Sequence, residues 1–258
     1  MKMRNIGSIL FGAAVGLYVL PAQAMTFADY SATSSSIPNI SWTQSPSLTG
    51  GTLSTIGTGA NTYFSFLAPP YAALVNLPAL FTLSASGPAS NPVNPVLLGG
   101  GVAAEQNLSG SFDFTYTGST PLVVGSHTYT TGATLLHGTF SGAEILGLNF
   151  GSTTSFQDAI LSGGSVTFTS AIVGFSAVGD KGLSLELTSV LPFYGASPGQ
   201  SLFSFTGVST GSFASDLSSG GGGGGVPEPG VWALMFAGLT GIGAAIRRRK
   251  GQVAIAAA

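Results

Sequence analysis

Gly207-Val208-Ser209-Thr210-Gly211 has the spacing of a G-x-S-x-G nucleophile elbow. That elbow is a strand-to-helix turn, and its acid and then its histidine follow later in the chain. Both histidines, His127 and His137, precede Ser209, so the triad order is missing. Gly and Ser are so common here that a chance match is the plainer reading. His127 and His137 would hold a metal only if neighbouring strands brought them together, with Glu144 the further ligand closest in sequence. Single strand histidines are more often structural or exposed. A glycosidase needs two carboxylates about 5–10 Å apart in a cleft. Asp113 and Glu186 are the acids most clearly on strands, and each sits opposite its strand's apolar face, where water solvates it. Asp158 and Asp180 read as loop or turn residues, and no spacing pairs two acids. No catalytic residue, cofactor site or metal ligand is assigned, and the chain is read as non-enzymatic.

Binding chemistry has other candidates. Trp42, Tyr63, Tyr71, Tyr116 and Tyr129 carry rings that could stack on sugars, although strand aromatics are more often core. Asn39-Ile40-Ser41 and Asn107-Leu108-Ser109 match glycosylation sequons. Gly220–Gly225 is a linker rather than a phosphate loop, because no Gly-Lys-Ser/Thr follows it.

The elements that must position these residues read as strands. Ser111–Thr117, Ser165–Thr169 and Leu183–Thr188 alternate apolar and polar residues with the strand period of two. Thr139–Gly142 followed by Ala143–Phe150 is also strand-like. Thr62–Phe66, Leu80–Ser84, Thr134–His137, Ala171–Val178 and Leu202–Phe205 are further candidates. Gly179-Asp180-Lys181-Gly182 has the composition of a hairpin turn. Turn residues recur every 8–12 residues or so, the spacing of a β-sandwich or jelly roll. Ser155–Leu161 allows one short helical turn. Ser86–Gly101, rich in Pro and Gly, reads as a long loop, and Met25–Ala85 as a less regular first half. The expectation is an all-β, single β-sandwich or jelly-roll-like domain over residues 25–219.

Charge narrows its partners. Between Met25 and Ser219 there are eight acids against Lys181 alone, a net charge of −7 that the whole-chain value of −2 conceals. Nucleic acid and anionic membrane surfaces need clustered Lys and Arg, so neither is expected as a partner. The polar surface must be built from Ser, Thr, Asn and Gly. That surface suits an extracellular matrix and offers sites for O-glycosylation. With few charges to guard them, its strand edges are prone to pairing. The chain has no cysteine, which excludes thiolate metal sites, redox motifs and disulfides.

The two ends read as addresses. Lys2 and Arg4, the apolar run Ile6–Leu20 and the A-x-A site at Ala22 and Ala24 make residues 1–24 a secretory signal peptide. At the other end, Gly220–Gly225 forms a hinge before Pro227-Glu228-Pro229 and Trp232-Ala233-Leu234. An uncharged run, Val231–Ile246, then meets Arg247, Arg248, Arg249 and Lys250. As a helix that run spans roughly 24 Å, short of the ~30 Å hydrocarbon core. The four cations hold its end in the cytoplasm by the positive-inside rule, leaving 251–258 as a short cytoplasmic tail.

Residues 226–250 resemble the PEP-CTERM sorting signal of exopolysaccharide-producing Gram-negative bacteria. The resemblance rests on the order of Pro227-Glu228-Pro229, Trp232-Ala233-Leu234, the apolar run and the Arg cluster. It implies that an exosortase-like enzyme is the processing partner, with cleavage near Pro227–Pro229. Trp232 and Arg247–Lys250 would support recognition and topology. The expected route runs through the secretion machinery, with a transient stay in the inner membrane. It ends at the cell surface or in the matrix, beside exopolysaccharide. The alternatives are a carbohydrate-binding adhesin and, less favoured, a secreted glycan-active enzyme.

Overall fold

The computed structural model describes residues 24–87, 94–98, 101–157, 164–176 and 181–217. They belong to one compact unit, Gln23–Gly224. The described residues form fourteen strands and no helix. These are β1 (Thr26–Ala32), β2 (Ile40–Gln44), β3 (Gly51–Thr55), β4 (Ala60–Phe66), β5 (Leu77–Gly87), β6 (Asn94–Leu98) and β7 (Gly101–Tyr116). They continue with β8 (Leu122–Val124), β9 (His127–Tyr129), β10 (Thr134–Leu148), β11 (Thr154–Gln157), β12 (Ser165–Thr169), β13 (Lys181–Leu191) and β14 (Phe205–Ser215). The all-β class read from the alternating pattern is the one observed.

The large sheet is antiparallel throughout and closes on itself. Hydrogen-bonded neighbours run β5–β7–β10–β11–β13–β14–β1–β4 and back to β5. A second bridge, β2–β3, joins β14 to β5 beside β1–β4. β12 lies against β10 next to β11, and β6 against the start of β7. Closure removes most free edges, which a chain with so few charges could not otherwise protect.

Alternation sends one residue in two into the interior. Phe213 of β14 sits at the centre, its ring 5.1 Å from Phe112, 5.6 Å from Phe114 and 6.0 Å from Phe168. Phe27, Tyr30, Phe64 and Phe81 complete a buried aromatic group. Each contributes on the order of 1.5–3 kcal/mol of burial, which is how a cysteine-free domain of this size holds together.

Several expectations change. Ser86–Gly101 is not one loop: its first two residues end β5, residues 94–98 form β6, and Gly101 opens β7. Backbone pairing with β7 outweighs the Pro and Gly content. Met25–Ala85 is as regular as the rest and carries most of β1 to β5. Ser155–Gln157 is strand rather than helical turn, because β10 and β13 flank it on both sides; residues 158–161 lie outside the described residues. Ala171–Ser176 is irregular apart from a bridge between Phe175 and Leu217; residues 177–180 lie outside the described residues, and Lys181 and Gly182, the second half of the expected turn, instead open β13 and pair with β14. Leu202 only bridges Ala196, and the strand begins at Phe205. Thr134–Leu148 is one strand, with a bulge between Phe140 and Ala143 where Gly142 takes a φ of 66°. Asn149 and Phe150 lie beyond its end.

Candidate binding surface

Ser209 lies in mid-strand on β14 and is fully buried. Its amide and hydroxyl both donate to Asn39 Oδ1, at 2.8 and 3.2 Å. β14 runs on as strand to Ser215, and the two histidines stand on β9 and β10, so the G-x-S-x-G match has no strand-to-helix elbow. His127 sits on the small β8–β9 hairpin, while His137 sits on β10. Among the described residues no three His, Asp or Glu side chains group as metal ligands. His137 Nδ1 instead lies 2.7 Å from Asp113 Oδ1, directly across the β7–β10 pairing. Asp113 is therefore half-exposed and paired, not the freely solvated carboxylate its strand pattern suggests. Glu186 is exposed on β13, beside Ser155 and Thr210, and no pairing relates it to Asp113. Asp158 and Asp180 lie outside the described residues.

The register does bring two other acids together. Glu105 opposes Leu146, and Glu144 opposes Asn107, which sets both carboxylates on the outer face of β7 and β10. Partial burial, reinforced by the Glu144 charge, holds the Glu105 carboxyl above its usual range. Linear sequence concealed this pair, because it depends on a pairing across nearly forty residues of chain.

The aromatic set read from sequence is dispersed. Trp42 is buried, and its indole N–H donates to the Leu202 carbonyl at 2.9 Å. Tyr116 is buried, with its hydroxyl on the Thr120 carbonyl. Tyr71 and Tyr129 pack partly against the core, and Tyr63 alone of the five is exposed. Asn39 is buried too, which removes the first sequon from the surface.

A different aromatic group faces solvent. Phe150 is 73% exposed, its ring centre 5.1 Å from Phe193, which lies 6.0 Å edge-on from Phe203. Leu148 and Leu191 are exposed beside these segments. Phe150 has a φ of 64°, left-handed backbone that a bulky residue rarely adopts. Its neighbours enforce this conformation. The Phe150 amide donates to the Tyr194 carbonyl at 2.6 Å, Tyr194 donates to Gly151 at 2.9 Å, and Ala196 donates to Asn149 Oδ1 at 3.0 Å. Tyr194 is itself anchored in the core. Leu148 and Gly151, on either side of this turn, also line a groove of about 480 Å³. Leu146, Thr153, Ser155, Glu186 and Thr188 form much of the rest of its wall.

The opposite chemistry covers the outer face of β2, β3, β5, β7, β10 and β12. One rung of the sheet reads Thr206, Ser41, Ser54, Ser84, Ser111, Thr139 and Thr167, each opposite the next. The rung beside it reads Thr43, Thr52, Ser86 and Ser109. At the β10–β12 end the hydroxyls bond one another, Thr139 to Thr167 at 2.6 Å and Ser141 to Ser165 at 2.9 Å. The Asp113–His137 pair and Thr169 complete a third rung with Thr82. β-branched Thr favours strands and pairs well across them, so the composition serves the fold and the surface together.

Ala24 is the first described residue. Ala22, Pro227, Glu228, Pro229, Trp232, Arg247, Arg248, Arg249 and Lys250 lie outside the described residues, as does Val231–Ile246. Among the described residues no helix is long and apolar enough to cross a membrane. No family model, curated protein or solved structure matches the chain.

Proposed function

We propose that the chain is an exported, non-enzymatic protein of the cell surface or extracellular matrix, released from the inner membrane by an exosortase-like enzyme. The observation that carries this reading is the order of the tail: Gly hinge, Pro227-Glu228-Pro229, Trp232, uncharged run, then Arg247–Lys250. The signal-peptide pattern ending at Ala24 supports export. The domain between them is a sandwich-like closed sheet, whose outer hydroxyl rungs hydrate by hydrogen bonding and recruit few counterions. Such a surface is compatible with close packing among polysaccharide chains.

The two strand acids read from sequence do not form a pair, since Asp113 is tied to His137 and Glu186 stands on β13, so neither supports the glycan-active alternative. The adhesin reading gains from the exposed Phe150 group, which the sequence pattern did not single out.

Intact mass spectrometry of the native protein tests the proposal. A secreted species beginning at Met25 and ending near Pro227–Pro229 is expected. Replacing Pro227, Glu228 and Pro229 with alanine should leave the full-length form in the membrane, and normal release of that variant would overturn the sorting role.

A further inference from the structure

We infer that the groove beside Phe150 binds a neutral polysaccharide, with the Phe150 and Phe193 rings as its stacking platform. This deepens the matrix reading and rests on it for the source of the ligand, while the site itself rests on geometry.

Three observations converge. Phe150 is bulky, exposed and held at a positive φ by its hydrogen-bonded neighbours. Backbone strain of this kind costs on the order of 1–3 kcal/mol, persists only where the surroundings over-determine it, and clusters at functional sites. Second, Leu148, Phe150 and Leu191 are three exposed large apolar side chains in these two neighbouring segments, with the partly buried Phe193 between them, and Phe150 is more exposed than any other large apolar side chain among the described residues. Third, the adjoining groove is mainly apolar but carries Thr153, Ser155, Thr188 and the Glu186 carboxylate. A pyranose ring needs that combination. Its C–H face packs on an aromatic ring and its rim hydroxyls donate to hydroxyl and carboxylate oxygens.

Charge selects the class of sugar. Glu186 lines the groove, Glu105 and Glu144 lie on the same outer face of β7 and β10, and Lys181, the one Lys or Arg among the described residues, sits at the start of β13. A uronate or sulfated glycan would be repelled, as would an anionic membrane. A second copy of the chain is disfavoured for the same reason: a two-fold contact through this patch would set acid against acid. The platform is also rigid before any ligand arrives, because Tyr194 ties it to the core, which lowers the ordering cost of binding.

The test uses the full-length chain in detergent and the form released into culture. Each is titrated calorimetrically with cellohexaose, laminarihexaose and hexagalacturonate. Binding of at least one neutral hexasaccharide, with hexagalacturonate weaker, is expected. Phe150→Gly should weaken it about tenfold or more, Phe193→Ala should weaken it in the same direction, and Phe150→Tyr should retain it. Phe150→Gly removes the ring but accepts the left-handed backbone, so its melting temperature should stay within a few degrees. The inference is overturned if neither neutral hexasaccharide binds at millimolar concentration. It is overturned equally if hexagalacturonate binds best, or if Phe150→Gly binds unchanged. It also falls if sedimentation shows a dimer that Phe150→Gly disperses. Failure of the sorting proposal looks different: a membrane species that keeps residues 231–258 yet still binds the neutral glycan would leave this site intact.

Discussion

The Tyr194 hydroxyl donates to the Ala104 carbonyl at 2.8 Å, ninety residues away in the chain, and lies 3.0 Å from the Ile145 carbonyl as well. This contact fastens the 192–203 segment to β7 and β10 through the interior. Gly147 leaves the room for it, since a Cβ there would stand 2.9 Å from the Tyr194 ring. Tyr194→Phe should therefore cost about 1–3 kcal/mol, the penalty for leaving buried carbonyls short of a donor. Urea denaturation measures it. The variant should also accelerate exchange of the Phe150 amide, which donates to the Tyr194 carbonyl, and of the amide at position 194, which donates to the Gly151 carbonyl. An unchanged midpoint would mean that the two carbonyls find other donors.

Alkaline stability follows from the same burial. Tyr30 and Tyr194 are buried, and desolvation pushes both phenols well above the ordinary tyrosine value near 10. The unfolded chain loses these protons above about pH 10 while the folded chain keeps them. Folded pKa values are raised, so their contribution is whole below pH 10 and declines as pH climbs. Each group adds a slope of up to about 1.4 kcal/mol per pH unit. Stability measured between pH 9 and 11.5 should fall, and Tyr30→Phe should flatten the slope. Titration of both phenols at ordinary pH, read by ultraviolet absorbance, would contradict it.

Glu105 gives an effect in the acid range. Its carboxyl is held above the usual value by burial and by Glu144, so the folded state favours the protonated form. The resulting stability is present below about pH 4 and is lost as pH rises through the folded pKa. Glu105→Gln should raise the melting temperature at pH 7 and leave it unchanged near pH 3. Half-exposed groups are screened by solvent, so a gain of a degree or two is the expected scale. A loss at pH 7 would show that the Glu105 carboxylate has a favourable role.

Much of this domain is legible from residue order, and the reason is periodicity. Ser165–Thr169 is β12 to the residue, and Leu183–Thr188 falls inside β13, because alternation over several residues fixes both the strand and its buried face. β6 was hidden because its strand character comes from pairing with β7 rather than from its own composition. The Glu105–Glu144 neighbourhood and the Phe150–Phe193 contact were hidden for a related reason. Both depend on register and on a tertiary hydrogen bond, neither of which leaves a local pattern. A weak trace existed at Phe150, a large apolar residue two positions past the end of β10 and just before Gly151. Trp42 and Tyr116 show the converse, since ring chemistry alone cannot tell a sugar platform from a core residue.

Asn39 makes the last prediction. β14 changes partner along its length, pairing with β2 at Phe205–Gly207 and with β1 from Gly211 onward. Ser209 falls in the gap between the two ladders, where no strand offers a carbonyl to its amide. The Asn39 side-chain oxygen fills that place, and the Asn39 backbone amide donates to the Gly207 carbonyl at 2.9 Å. Asn39→Ala should therefore strand two buried donors, the Ser209 amide and hydroxyl, and cost about 2–4 kcal/mol. Ser209→Ala removes only the hydroxyl and should cost less. The double variant should fall short of the sum of the single costs by about 0.5–1.5 kcal/mol, because the hydroxyl bond is counted in both. Thermal or urea unfolding of the three variants measures the coupling. Strict additivity would mean that Asn39 and Ser209 act independently, and the seam between β2 and β1 would then be held by backbone pairing alone.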